Sequence, residues 1–152
     1  MDSTTAQGLA AHTPESTCSL PYFNIRVAAG FPSPALDHME ERIDLNKILV
    51  QHPLATFVVE CTGDSMINAF IPPMAKLVVD RALSPQNNDI VLAVVNGEFT
   101  VKFLKKNDHR CWLVPANRKY PELEITPDTH FEVWGVVTHI ITPVNLVRKC
   151  ML

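Results

Sequence analysis

From residue 57 onward, apolar residues fall into short runs separated by turn-forming residues. Phe57-Val58-Val59, Leu77-Val78-Val79, Ile90 to Val95, Phe99 to Leu104, Cys111 to Val114 and Phe131 to Ile141 are too short for most helices and rich in β-branched and aromatic side chains. The pattern predicts strands over 57–61, 76–81, 90–95, 98–105, 111–115 and 131–142. Asn96-Gly97 is a strong two-residue hairpin signal, and Asn107-Asp108 and Pro115-Ala116-Asn117 mark further loops. Upstream, Asp44 caps a short helix through Leu45, Ile48 and Leu49 that ends before Pro53. Residues 21–29 carry Tyr22, Phe23, Ile25 and Val27, a run suited to docking as an extended strand. Residues 1–20, rich in Ser, Thr and Ala, read as a mobile arm. Phe31-Pro32-Ser33-Pro34 is a stiff connector, because each proline fixes φ and restricts its predecessor. The expected fold is mostly β: compact, strongly curved antiparallel sheets with a flexible N-terminal arm and one or two short helices.

Composition narrows the function classes. A chain of 152 residues, 47% hydrophobic, suits one domain with a modest core. A net charge of −3 and a pI near 6.0 argue against a direct grip on the phosphate backbone of DNA. Cys18, Cys61, Cys111 and Cys150 show no CxxC pairing and the six histidines no ligand spacing with them, so reduced thiols are expected and neither a metal nor a cofactor. No basic-plus-apolar leader and no membrane-length apolar run is visible, which predicts a cytoplasmic protein with no membrane contact.

Three features carry chemistry. Ser65 lies in Gly63-Asp64-Ser65-Met66, where Gly and Asp favour a sharp turn at the end of a strand and Asp64 or Ser65 is placed to cap a short helix beginning at Met66. Lys102 lies in an apolar strand, sharing a face with Thr100 and Leu104 while Val101 and Phe103 point the other way. Apolar flanks on both sides predict a strand covered on both faces. Burial there favours the neutral amine, which is the form able to take a proton from a serine hydroxyl. Ala29-Gly30 is a peptide bond of small residues in an accessible segment. Taken singly, each has an ordinary explanation: a turn, a snorkelling edge lysine, a common dipeptide. Jointly they describe a nucleophile, its base, and a bond for them to cut.

At these residues the chain resembles the LexA/UmuD family of self-cleaving proteins, most closely its UmuD branch. Ala29-Gly30 matches the scissile bond, Gly63-Asp64-Ser65-Met66 the nucleophile motif, and Gly97-Glu98-Phe99-Thr100-Val101-Lys102 the lysine motif. Gly30 to Ala35 and Glu41 to Asn46 are similar to UmuD rather than LexA. Val78 to Arg81, Asn88 to Val91 and Trp134 to Val137 resemble core strands, so the likeness spans about residues 28–142. Ile71-Pro72-Pro73-Met74-Ala75-Lys76 departs from a loop that is usually rich in Gly and Asp.

The resemblance implies Ser65 as nucleophile, Lys102 as general base, and three segments: an arm 1–29 removed on cleavage, a catalytic and dimerisation domain 30–144, and a tail 145–152. It further implies a homodimer of the SOS response, cleavage promoted by a RecA filament on single-stranded DNA, and a shortened form serving a UmuC-like error-prone polymerase in translesion synthesis. The short stretch before Ala29 leaves no room for a repressor's helix-turn-helix domain. The competing reading is a non-catalytic regulatory or dimerisation module related to phage and LexA repressor C-terminal domains. A general protease acting in trans is weaker. Type I signal peptidase, which shares Ser-Lys chemistry, is disfavoured by the missing membrane anchor.

Overall fold

A computed structural model describes residues 18–23, 29 and 40–150. The chain divides into two compact units, residues 1–46 and 47–152. In the first, β1 (Ser19–Phe23) pairs antiparallel with β2 (Glu40–Asp44). Arg42 ties the pair together, its Nε donating to Ser19 Oγ at 3.1 Å and its Nη2 to the Ser19 carbonyl at 2.6 Å. Ser19 and Leu20, expected in a mobile arm, are therefore paired strand residues, and β2 carried no strand signal of its own. Its alternation is masked by four charged residues in five. The run expected over 21–29 is a strand through Phe23; residues 24–28 lie outside the described ones. Helix α1 (Leu45–Leu49) follows β2 directly, and Asp44 caps it as expected, Oδ1 accepting the Asn46 N–H at 2.9 Å.

The second unit is a seven-stranded open antiparallel sheet. Its strands are β3 (Thr56–Glu60), β4 (Lys76–Asp80), β5 (Ile90–Val95), β6 (Glu98–Lys106), β7 (Cys111–Val114), β8 (Leu123–Ile125) and β9 (Phe131–Ile141), in the order β3-β4-β9-β5-β6-β7-β8. Six of these match the expected strands within two residues at each end. β8, three residues long with Glu124 at its centre, was not expected. Helix α2 (Val144–Cys150) follows β9 and takes up most of the segment read as a tail. Asn96 (φ 50°) and Gly97 (φ 87°) both have positive φ, the requirement of the type I′ turn that joins β5 to β6.

Alternation along β5 divides the core. Leu92 packs with Met66, Ile71, Ala75, Leu77 and Val79, whereas Val91 and Ala93 point to the other face, with Leu104 and Leu113. β9 runs between β4 and β5 and is bulged against both. Its register skips Thr138 against β4 and Trp134 against β5. A bulge re-aims a side chain and sharpens local twist, and the one at Trp134 has a consequence for the site below. Beside it, Gly135 lies against β4. A Cβ there would come within 2.6 Å of Val79 Cγ1 and 3.0 Å of the Asp80 carbonyl oxygen. Gly135→Ala should therefore cost about 1–3 kcal/mol through overpacking, read as a lower urea midpoint at unchanged slope. A variant as stable as wild type would show that β9 can move off β4.

At the end of β4, Asp80 is 2% exposed. His52 Nδ1 lies 2.6 Å from its Oδ2, and the Ala82 N–H donates to its Oδ1 at 2.8 Å. The hydrogen bond with His52 holds the Asp80 pKa below its ordinary 3.8, helped by the Ala82 N–H and the His52 charge and opposed by burial. A depressed carboxylate pKa contributes stability that is complete above the unfolded value and is lost as pH falls through the folded one. His52→Ala should raise the pH at which the domain unfolds in acid, followed by circular dichroism. An unchanged acid midpoint would mean that the pair does not hold this corner.

Candidate functional site

β3 delivers the chain into the segment that holds Ser65. Past its end, Cys61 continues an antiparallel contact, its N–H donating to the Ala75 carbonyl at 2.9 Å and its carbonyl accepting the Met74 N–H at 2.6 Å. The unexpected sequence Ile71 to Lys76 is accommodated here: Ile71, Pro72 and Ala75 are buried. Two of the bends around it fall on Phe70 (φ 63°) and Met74 (φ 70°), left-handed positions that L residues adopt at a cost of about 1–2 kcal/mol each. Both side chains are left exposed, at 85% and 55%.

The turn after Gly63 leads into a single 3₁₀ turn, Ile67–Ala69, whose cap is Met66 with no side-chain cap bond. Neither Asp64 nor Ser65 caps a helix as expected. The Asp64 carbonyl accepts the Ile67 N–H at 3.2 Å, and its side chain faces elsewhere, accepting the Tyr120 hydroxyl. This leaves the Ser65 hydroxyl uncommitted to capping. Met66, 1% exposed, anchors the turn in the core.

Lys102, on β6, meets the serine. Its Nζ lies 2.9 Å from Ser65 Oγ, 2.9 Å from Thr100 Oγ1 and 3.0 Å from the Val101 carbonyl oxygen. The bond to Thr100 follows from the period of the strand, which puts residues two apart on one face. β6 is not covered on both faces as expected: of its nine residues only Leu104 is fully buried, and Lys102 is half-buried. Burial still lowers the Lys102 pKa from its ordinary 10.5, opposed by the neighbouring Cys61.

Ser65 and Lys102 open into a groove of about 460 Å³, walled by Phe57, Val59, Leu92, Phe99, Val101 and Trp134. The bulge of β9 gives Trp134 its place there. Phe99 packs edge-on against its ring, centroids 4.8 Å apart, and the Arg81 guanidinium lies 5.1 Å from the ring centroid. Of the residues singled out from sequence, the structure thus brings Ser65 and Lys102 together. Ala29 is exposed and belongs to the first unit; Gly30 lies outside the described residues. Sequence reasoning missed Trp134, whose role depends on a bulge, and Asn117 and Tyr120, which contact Asp64 from the loop between β7 and β8. The period-two spacing of Thr100 and Lys102 was the signal available for Thr100.

Comparison with known proteins places the chain in a family of peptidases. The model of the peptidase S24-like family matches residues 21–138. Protein MucA of Salmonella typhimurium is 41% identical over 122 residues, 80% of this chain and 83% of MucA. Protein SamA of Salmonella typhimurium strain LT2 is 45% identical over 121 residues, 80% of this chain and 84% of SamA. The LexA repressor of Bifidobacterium adolescentis is 35% identical over 116 residues, 76% of this chain but 44% of the repressor. The chain belongs to the peptidase S24-like family, as a UmuD-like member. Among the described residues, no helix is long and apolar enough to cross a membrane.

Proposed function

We propose that this protein cuts its own Ala29-Gly30 bond, with Ser65 as nucleophile and Lys102 as general base. The observation that carries the reading is the 2.9 Å contact between Lys102 Nζ and Ser65 Oγ in a groove that lowers the lysine pKa. A protonated amine has three N–H donors, matched by the three oxygens around it. When the amine is neutral, two N–H groups stay on Thr100 Oγ1 and the Val101 carbonyl, and the lone pair turns to Ser65. The Ser65 hydroxyl then donates to Nζ, loses its proton to it, and Oγ attacks the Ala29 carbonyl carbon. The Ser65 backbone N–H is a candidate donor to the developing oxyanion. The Ala29–Gly30 C–N bond breaks, Lys102 returns the proton to the Gly30 amine, and water hydrolyses the acyl ester on Ser65 through the same base.

In this reading residues 1–29 are the removed arm, 30–144 the catalytic and dimerisation domain and 145–152 a tail, in a cytoplasmic homodimer of the SOS response. RecA on single-stranded DNA promotes the cut, and the shortened form serves a UmuC-like error-prone polymerase. Support for these partners is the UmuD-like membership and the chain's acidic balance, which leaves DNA contact to the partners. Mass spectrometry of the purified full chain held at neutral and alkaline pH should show a fragment beginning at Gly30, absent from Ser65→Ala. A first residue other than Gly30 would reject the assignment of the bond. An arm that stays intact while Lys102 is neutral would favour the non-catalytic module.

A further inference from the structure

The residue before the nucleophile is held from far away in the sequence. Asn117 Nδ2 donates to the Asp64 carbonyl at 3.0 Å, and the Tyr120 hydroxyl donates to Asp64 Oδ1. On the other side of Ser65, the Ala116 N–H points at Met66 Sδ at 3.3 Å, and the Asn68 N–H donates to the Ala116 carbonyl at 3.0 Å. Four contacts from one short stretch, residues 116–120, therefore fall on residues 64, 66 and 68. They bracket Ser65, whose own side chain takes no part in them.

We infer that Asn117 and Tyr120 are positioning residues for the reaction, fixing Asp64 so that Ser65 Oγ stays at the Lys102 amine. The inference rests on the function proposed above. The segment around Ser65 has no strand partner, and one 3₁₀ turn of three residues is too short to define it. Gly63 precedes it, and a Cβ there would meet nothing within 4 Å, so no side-chain packing holds the chain at that point. Met66 anchors the turn in the core, and Asn117 and Tyr120 supply two further anchors that end on the residue adjoining the nucleophile on its other side. Attack requires Oγ and the carbonyl carbon to approach within about 3–3.5 Å, and misplacement by about 1 Å costs on the order of 10²-fold in rate. The hydrogen bond to Asp64 also raises the Tyr120 pKa above its ordinary 10.0, which favours the protonated hydroxyl that donates it.

The test is the self-cleavage rate of the full chain against pH, with thermal unfolding measured alongside. Tyr120→Phe and Asn117→Ala should each lower the alkaline plateau about tenfold, within the range of a small misplacement, and leave the midpoint of the pH profile in place. Asp64→Asn keeps an acceptor oxygen for Tyr120 and should stay within about threefold of wild type, whereas Asp64→Ala should lose as much as Tyr120→Phe. Combining Asp64→Ala with Tyr120→Phe should be no slower than the slower single variant, because both remove one contact. Plateau rates equal to wild type in Tyr120→Phe and Asn117→Ala would overturn the inference, as would losses that vanish on cooling in step with refolding. Either result, with Ser65→Ala and Lys102→Ala inactive, leaves the proposed dyad standing. Wild-type cleavage by Ser65→Ala or Lys102→Ala would instead remove the reading on which the inference depends.

Discussion

Self-cleavage of the wild-type chain is expected to rise about tenfold per pH unit below the folded pKa of Lys102 and to level off above it. Only the neutral amine accepts the Ser65 proton, so the rate follows the deprotonated fraction. Burial has already moved that pKa below 10.5, so the rise comes at lower pH than it would for an exposed lysine. Lys102→Arg should remain uncut across the range, because a guanidinium stays protonated. Ser65→Ala and Lys102→Ala should each lose about 10³-fold or more, since neither half of the pair works without the other. The same burial has a sign in stability. A charged Lys102 costs the folded state most below its folded pKa, and the cost fades as pH rises from there toward the unfolded value of 10.5. Lys102→Met should thus be more stable than wild type at neutral pH, with the gap closing as the solution is made alkaline. Cleavage by Lys102→Arg at the wild-type rate would make the lysine structural. A stability gap independent of pH would mean that its burial is not what shifts it.

The second large effect lies one residue beyond the nucleophile. Met66→Ala should lower stability by about 2–5 kcal/mol, the range for emptying a buried methionine site. Met66 is among the largest fully buried side chains and packs with Ile71, Leu77, Val79 and Leu92 across two strands. Its sulfur also accepts the Ala116 N–H, so truncation leaves that donor without its partner. Because the same residue roots the turn of Ser65, cleavage should fall even under conditions where the variant remains folded. Urea unfolding at constant slope measures the first effect and fragment yield the second. A loss below about 1 kcal/mol would place the turn's anchor elsewhere, in Ile71 or Ala75.

Much of the fold was legible because the signals are local. The strands β3 to β7 and β9 follow from short apolar runs, and the β5–β6 hairpin from Asn96-Gly97, whose positive φ values few other pairs adopt readily. Asp44 capped α1 because a carboxylate one residue before a helix finds the orphan N–H groups directly. The same rule failed at Asp64, where Tyr120 and Asn117 compete for the residue and the following turn is too short to repay a cap. Local signals also missed Ser19, Leu20 and the whole of β2, which are defined by their pairing and by Arg42 rather than by an apolar pattern.

What the sequence by itself determined is therefore strands β3 to β7 and β9, the turn between β5 and β6, and the two candidate residues, Ser65 and Lys102, each at a local motif. Their meeting at 2.9 Å was decided by the tertiary structure, as were the groove wall at Trp134 and the contacts of Asn117 and Tyr120 with Asp64. All of these depend on β9 inserting between β4 and β5 with two bulges, and on the loop after β7 returning to residues 64–68. Backbone ladders bond almost equally well with any neighbour, so strand order is selected by packing summed over the whole sheet. No window of sequence contains that sum.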